Sequence, residues 1–295
     1  NGPSNHLLSS QVQCVNALGL MVEDPDRICR SFEDALGTDI VEPIEPGRFL
    51  TFEYIGDTDF FGESPDGPRT RGAHCTSVDA AFLHQTHAGI RELILLEWKF
   101  TESYRPRRPD PARDKIRWAR YGEALTDPDG PIRSDVLPFD DLCQEPFYQL
   151  VRQQLLAHEL EKTHAHGVDR ARVVHVTPVG NLEYQSSLTA GHRSVGPSVS
   201  TVWSKLLRHH DRFVSVDSAI FLDHDITSWD YDARYGDYLA WDLDELYRIV
   251  DDEIEEFLYA GVEFEGDVEV SDDGIEMTLC GNSTFLEFPS NIAEF

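Results

Sequence analysis

The stretch from Ile90 to Phe100, IRELILLEWKF, limits the fold of this chain more than any other part of it. Its middle is continuously apolar and several of its side chains are large, which predicts a buried strand. A buried strand has no structural use for charge, yet this one ends in Glu-Trp-Lys. Side chains alternate along a strand, so Glu97 and Lys99 point one way while Trp98 points back with Leu96 and Ile94 into packing. One face is expected to be polar and the other core. The preceding segment, CTSVDAAFLHQTHAG from Cys75, supplies an antiparallel partner. A turn centred near His87 and Ala88 sets Asp79 opposite Leu96, within one position of Glu97. Opposed side chains in such a pair lie about 5 Å apart, close enough for Asp79 and Glu97 to share one divalent cation. Two carboxylates and a lysine in a half-buried place are costly unless a cation offsets them.

Composition narrows the setting. The chain has 295 residues and is 40% hydrophobic, ample for one large core. It carries 54 acidic and 25 basic residues, a formal charge of −29, and only Lys99, Lys115, Lys162 and Lys205 are lysines. Acidic excess spread along the whole length, with arginine in place of lysine, is tolerable only under strong screening and suggests a halophilic source. The longest apolar run, Leu93 to Leu96, is far too short to span a membrane. Five cysteines without CxxC spacing fit reduced thiols, so the chain is expected to be cytoplasmic.

Along the chain, Ser9-Ser10-Gln11 reads as a helix start, with Val12, Cys14, Val15 and Leu18 as its apolar face before Pro25. A second helix is predicted from Asp26 to Leu36, capped by Gly37. A strand from Phe49 to Ile55 carries a single acid, Glu53, and a polar loop from Asp57 to Gly72 leads into the hairpin. Directly after the hairpin the charge inverts. Arg105, Arg107, Arg108, Arg113, Lys115, Arg117 and Arg120 face only Asp110 and Asp114, a local balance of +5. The plain reading is a solvated helix face. In a chain so poor in cations, concentration beside a candidate metal site favours a phosphate-binding surface. A long helix from Glu145 to Lys162 presents Phe147, Leu150, Val151 and Leu155 as a stripe, with Gln149 and Gln153 together on one face. Arg172 to Pro178 reads as a further buried strand, and Phe213 to Leu222 as one more strand or an edge element. An acidic amphipathic helix is predicted over Asp242 to Ala260, and Val262 to Phe288 alternates like a hairpin about Asp272-Asp273-Gly274. The whole reads as one domain over 1–295: an α/β core of order αβββαβ over about 5–220, mixed central sheet flanked by helices, with a C-terminal helix and β-hairpin elaboration over about 221–295.

An Asp on one strand, Glu-x-Lys on the next, then a helix and a further strand resembles the PD-(D/E)xK superfamily of metal-dependent nucleases, the restriction-endonuclease-like fold. The segments SSQVQCVN, TFEYIG, GAHCTSVDAAF, LILLEWKFTESY and PFYQLVRQQL also resemble a family of prokaryotic proteins described as restriction endonucleases. TSVDA and LLEWKFTE are the specific parts, because Glu-x-Lys alone is common. The resemblance implies that Asp79, Glu97 and the backbone carbonyl of Trp98 bind Mg²⁺, with Mn²⁺ as a substitute. It implies that Lys99 orients the attacking water or helps deprotonate it. Val78 stands where the superfamily motif has proline, a position that varies widely. A further acid is often supplied from an early element, Glu53 or Glu33, and Glu53 is favoured because its strand should neighbour the hairpin. RecB-type relatives place a Gln of the following helix at the site, which marks Gln149 and Gln153.

Phosphodiester hydrolysis needs an activated water and something to absorb charge on the phosphoryl and leaving oxygens, and a hard divalent ion held by carboxylates does both. The expected activity is a DNA endonuclease acting against foreign DNA, with 5′-phosphate products as the family usually gives. Its expected partners are DNA, a second copy of the chain and other defence-system subunits. Two other readings are a catalytically silent nucleic-acid-binding module of the same fold, and a nuclease of repair, recombination or RNA. The pair His164 and His166 falls at a helix end, where histidines commonly meet free carbonyls rather than zinc.

Overall fold

The computed structural model describes residues 9–64, 67, 69, 75–108, 110–223, 225–239, 266–271, 274–279 and 282–287. It divides into two compact units, Asn1–Ser228 and Trp229–Phe295.

The first unit is built on a six-stranded mixed sheet. Helices α1 (Ser10–Leu18) and α2 (Pro25–Leu36) lead into β1 (Thr38–Glu42) and β2 (Leu50–Tyr54), and the long hairpin β3 (Val78–Thr86) and β4 (Arg91–Trp98) follows. Helix α3 (Pro111–Thr126), a single turn α4 (Phe139–Leu142) and the long α5 (Phe147–Lys162) precede β5 (Arg170–Thr177). The short helices α6 (Leu182–Gln185) and α7 (Ala190–Val195), then α8 (Val199–Leu206), precede the edge strand β6 (Phe213–Asp217). Strands β3 and β4 are antiparallel, while β4, β5 and β6 run parallel. Both β1 and β2 pair with β3, β2 with its first half and β1 with its second.

Local chemistry explains the boundaries. The Ser9 hydroxyl accepts from the Val12 N–H at the start of α1. Asp24 caps α2, Pro25 occupies its first turn, and Gly37 closes it at φ 67° with its N–H donating to the Glu33 carbonyl. The hairpin turns through His87-Ala88-Gly89, with Gly89 at φ 79° and its N–H donating to the Thr86 carbonyl. A three-residue loop ending on a left-handed glycine is a standard hairpin closure. It centres the turn on Ala88 and sets the register, which pairs Ala80 with Leu96. The expected Asp79–Leu96 pairing is therefore off by one, and the next position along brings Asp79 opposite Glu97.

Both faces of the sheet are covered. On one, Leu93, Leu95, Ala171 and Val173 meet Leu150, Leu155 and Leu156 of α5 in a single apolar cluster. On the other, the Phe32 and Phe82 rings lie 5.0 Å apart and the Trp98 and Phe221 rings 5.0 Å apart. Glu97 and Lys99 are consequently buried, not displayed on an open polar face. In α1 the buried side chains are Gln13, Cys14, Ala17 and Leu18, whereas Val15 faces outward. Gln13 replaces the expected valine because its side-chain carbonyl accepts from the Trp98 indole N–H at 2.8 Å. Strand β1 and the helical form of residues 111–126 are additions to the αβββαβ order read from the sequence.

The second unit contains α9 (Trp229–Leu239) and an antiparallel sheet of β7 (Gly266–Ser271), β8 (Gly274–Leu279) and β9 (Asn282–Glu287). The expected hairpin about Asp272-Asp273-Gly274 corresponds to β7 and β8, whose register runs to Ser271 opposite Gly274, and β9 adds a third strand. The helix predicted over 242–260 lies outside the described residues. Among the described residues no helix is long and apolar enough to cross a membrane.

Candidate active site

Strand register assembles the site. Phe52 pairs with Ala80 and Tyr54 with Val78, so Glu53 falls opposite Asp79, and Asp79 falls opposite Glu97. Glu97 in turn pairs with His175 of β5, and His175 with Ser215 of β6. One transverse row thus carries Glu53, Asp79, Glu97 and His175 on four neighbouring strands. At this row the central hairpin opens. Its ladder ends at Ala80 and Leu96, and the Trp98 N–H, which a continued ladder would give to a main-chain carbonyl, donates instead to the Asp79 carboxylate at 2.7 Å.

Lys99 reaches into the same place. Its ammonium donates to Glu97 at 2.5 Å and to the Gln149 side-chain carbonyl at 2.8 Å, and the Gln153 amide donates to the other Glu97 oxygen. Both glutamines of α5 therefore meet the strand residues that the sequence placed them near. Burial alone would lower the Lys99 pKa, but Glu97, Tyr104 and Asp79 outweigh it and hold the ammonium above its ordinary value. Asp79 is the opposite case. Burial first, then the Glu97 charge, push its carboxyl well above the usual range, although Lys99 and the Trp98 N–H pull it down. One lysine does not compensate the acid pair.

Glu53 adds a third acid from the edge. It sits at φ 52°, an uncommon conformation for a residue with a side chain, and accepts from the Gln11 amide at 2.8 Å. Glu33, the other early acid, lies 3.9 Å from His87 at the turn end of the hairpin, away from this row.

Several neighbours lie outside the residues that the sequence pattern singles out. His175 is fully buried; burial and then the Lys99 charge lower its pKa to about 3, so it is neutral. Its Nε2 lies 3.0 Å from the hydroxyl of the buried Tyr184. The Asn181 amide donates to the Phe100 and Glu102 carbonyls, fixing the chain immediately after Lys99. His175 shows the same signal as Glu97, a polar residue in a buried strand. Tyr184 and Asn181 lie on a short helix and its cap, where nothing in the pattern marks them.

The basic segment divides. Arg107 and Arg117 both bind Asp114, at 2.8 and 3.2 Å, Arg113 pairs with Asp110 at 3.4 Å, and Arg120 donates to the Glu63 carbonyl. Arg105, Arg108 and Lys115 are exposed and make no ion pair among the described residues. The histidines at the end of α5 are satisfied, His164 by the Val168 carbonyl and His166 by the Tyr54 hydroxyl. Cys14, Cys29, Cys75 and Cys143 form no disulfide among the described residues.

Among the described residues no three His, Cys, Asp or Glu side chains are grouped to hold a metal ion. The donors present are hard oxygens, with Asp79 opposite Glu97 and one lysine beside them. That combination fits Mg²⁺ or Mn²⁺, which need only one or two carboxylate anchors.

A mixed sheet whose central hairpin sets an Asp opposite a Glu-x-Lys, with helices on both faces, defines the restriction-endonuclease-like α/β class. Residues 1–236 match the model of the family described as restriction endonuclease associating with ARP, and the chain belongs to that family. Neither a curated protein nor a solved structure matches it. Membership supports a nuclease-like role.

Proposed function

We propose that this chain is a Mg²⁺-dependent DNA endonuclease that hydrolyses phosphodiester bonds in defence against foreign DNA, and that it works with the ARP partner its family description names. The observation that carries the reading is the row in which Asp79 opposes Glu97 while Lys99 and Gln149 close over it. Asp79, Glu97 and the Trp98 carbonyl are the groups that would hold the cation, with Glu53 at the edge of the row. A bound divalent ion supplies Lewis acidity and lowers the pKa of water. Lys99, kept protonated by its acidic neighbours, serves as a donor and positive charge that orients the attacking water and lowers the cost of forming hydroxide. Gln149 and Gln153 hold Lys99 and Glu97 at their stations. Arg105, Arg107, Arg108, Arg113, Lys115, Arg117 and Arg120 form the DNA-facing surface, four of them (Arg105, Arg108, Lys115 and Arg120) with no acidic side-chain partner among the described residues.

The test is DNA cleavage by the purified chain with Mg²⁺ or Mn²⁺, against an EDTA control, from low to molar salt. Cleavage that persists in EDTA, or no cleavage of any DNA form, would overturn the reading. A second prediction separates the cations. Changing Arg105, Arg108 and Lys115 together to Gln should reduce the slope of log affinity against log salt on duplex DNA by about 1 for each phosphate that is no longer neutralised. An unchanged slope would make the segment a solvated face.

A further inference from the structure

Helix α3 contains a feature that neither its packing nor its charge explains. Only Tyr121, Gly122 and Leu125, all near its C-terminal end, are buried. Its N-terminal half projects, and on it Ile116 is 53% and Trp118 48% exposed. The Trp118 ring is nevertheless held firmly. It stands edge-on to Phe139, with centroids 4.9 Å apart and planes at 90°. Its other support is Gly122, one turn further along, where an added Cβ would come within 2.9 Å of two indole ring atoms. Glycine is a poor helix-interior residue. Here it is the residue that lets a large ring lie flat along the helix while much of it stays open to solvent. A preorganised, exposed indole loses little on engaging a ligand.

Its surroundings point to one kind of ligand. Lys115 lies three residues before Trp118 and so neighbours it on the helix surface, and Arg105 and Arg108 lead into the same helix. The root of the helix is tied to the candidate active site. The Arg117 guanidinium sits 4.3 Å over the Tyr148 ring, and Tyr148 adjoins Gln149, which binds Lys99. In a chain of charge −29, exposed cations beside an exposed aromatic complement a polyanion that carries aromatic bases. A body this acidic repels DNA at low salt, and at high salt its arginines are screened. An aromatic contact keeps its strength under both conditions.

We propose that Trp118 is a stacking platform for an unpaired base of the DNA substrate, with Lys115 and Arg108 taking the flanking phosphates. This rests on the nucleic-acid reading above and deepens it: the substrate class becomes DNA with single-stranded positions, since a ring on a convex helix cannot reach bases stacked within a duplex. Stacked bases bind through any π-face, so the contact selects for strand state and not for sequence.

The experiment is fluorescence anisotropy of the full chain with a labelled single-stranded oligonucleotide and with its duplex, in EDTA so that cleavage plays no part. Trp118→Ala should weaken single-strand binding by about tenfold or more, by a similar factor at low and high salt, and Trp118→Phe should restore most of it. Gly122→Ala, a better helix former that keeps the indole but displaces it, should also weaken binding. Trp118→Ala and Gly122→Ala binding as the parent does would overturn the inference and leave the ring to a protein contact. Parent protein that binds only the duplex would overturn it while sparing the nuclease reading. Parent protein that binds neither probe would overturn both.

Discussion

Asp79→Asn is expected to abolish DNA cleavage and at the same time raise the unfolding temperature of the metal-free protein. Asparagine keeps the shape and can still accept from the Trp98 N–H, so the hairpin retains its closure. What it removes is a carboxylate that burial and Glu97 both disfavour. The pH dependence has a definite sign. A carboxyl whose folded pKa lies above its unfolded value binds protons more tightly in the native state. The resulting stability is fully present below the unfolded pKa and is lost as pH rises through the raised folded value. The metal-free parent should therefore lose stability on going from mildly acidic to neutral pH by more than Asp79→Asn does. Mg²⁺ or Mn²⁺ should raise the unfolding temperature of the parent and not of the variant. Thermal unfolding with and without metal across pH, beside a cleavage assay, reads all of this. Undiminished cleavage by Asp79→Asn, or the same metal-induced shift in both proteins, would sink the site assignment. Lys99→Ala should also cost on the order of 100- to 1,000-fold in rate. It is the less clean variant, because it leaves Glu97 buried without its cation.

The second large effect is one of stability alone. Glu92→Ala should cost about 3–5 kcal/mol, the usual penalty for leaving buried charge without its partner. Glu92 is fully buried, and Arg170, Arg172 and His84 converge on its carboxylate. Burial and the two arginines lower the His84 pKa to about 4, so His84 is neutral near pH 7 and the carboxylate is the charge that meets both guanidinium groups. Arg170 retains Asp211 at 3.1 Å; Arg172 has no second ion pair among the described residues. Against a total stability of about 5–15 kcal/mol, such a loss is severe. Glu92 lies five residues before Glu97, roughly 16 Å along an extended strand. Cleavage per folded molecule should therefore be unchanged. Denaturant unfolding gives the first quantity and active-fraction titration the second. A loss under about 1 kcal/mol would show that the arginines find other partners.

These two residues also show how far the sequence carries. Glu92 and Glu97 sit on one strand, both buried, and burial by itself does not separate a structural acid from a catalytic one. Glu97 stands out because Lys99 follows it and because the segment resembles a known motif. Glu92 does not, since the arginines that claim it arrive on β5, nearly eighty residues later. The expected Asp79–Leu96 pairing comes close because a hairpin is local, and it misses Glu97 by one because the count depends on whether the loop holds two residues or three. Gln149 and Gln153 are legible as a helical face four residues apart. The left-handed backbone at Glu53, which no propensity of glutamate suggests, is not.

What the sequence determined by itself was local: the caps of the first two helices, the buried hairpin, the stripe of α5, and the presence of charges that a core strand does not need. Those follow from interactions within a few residues, where periodicity and capping chemistry act. Only the tertiary structure decided which charges meet. Parallel pairing of β4 with β5 and the packing of α5 across them join groups fifty to eighty positions apart. A buried charge takes its role from whatever lies within a few ångströms, and in a folded chain those neighbours are rarely neighbours in sequence.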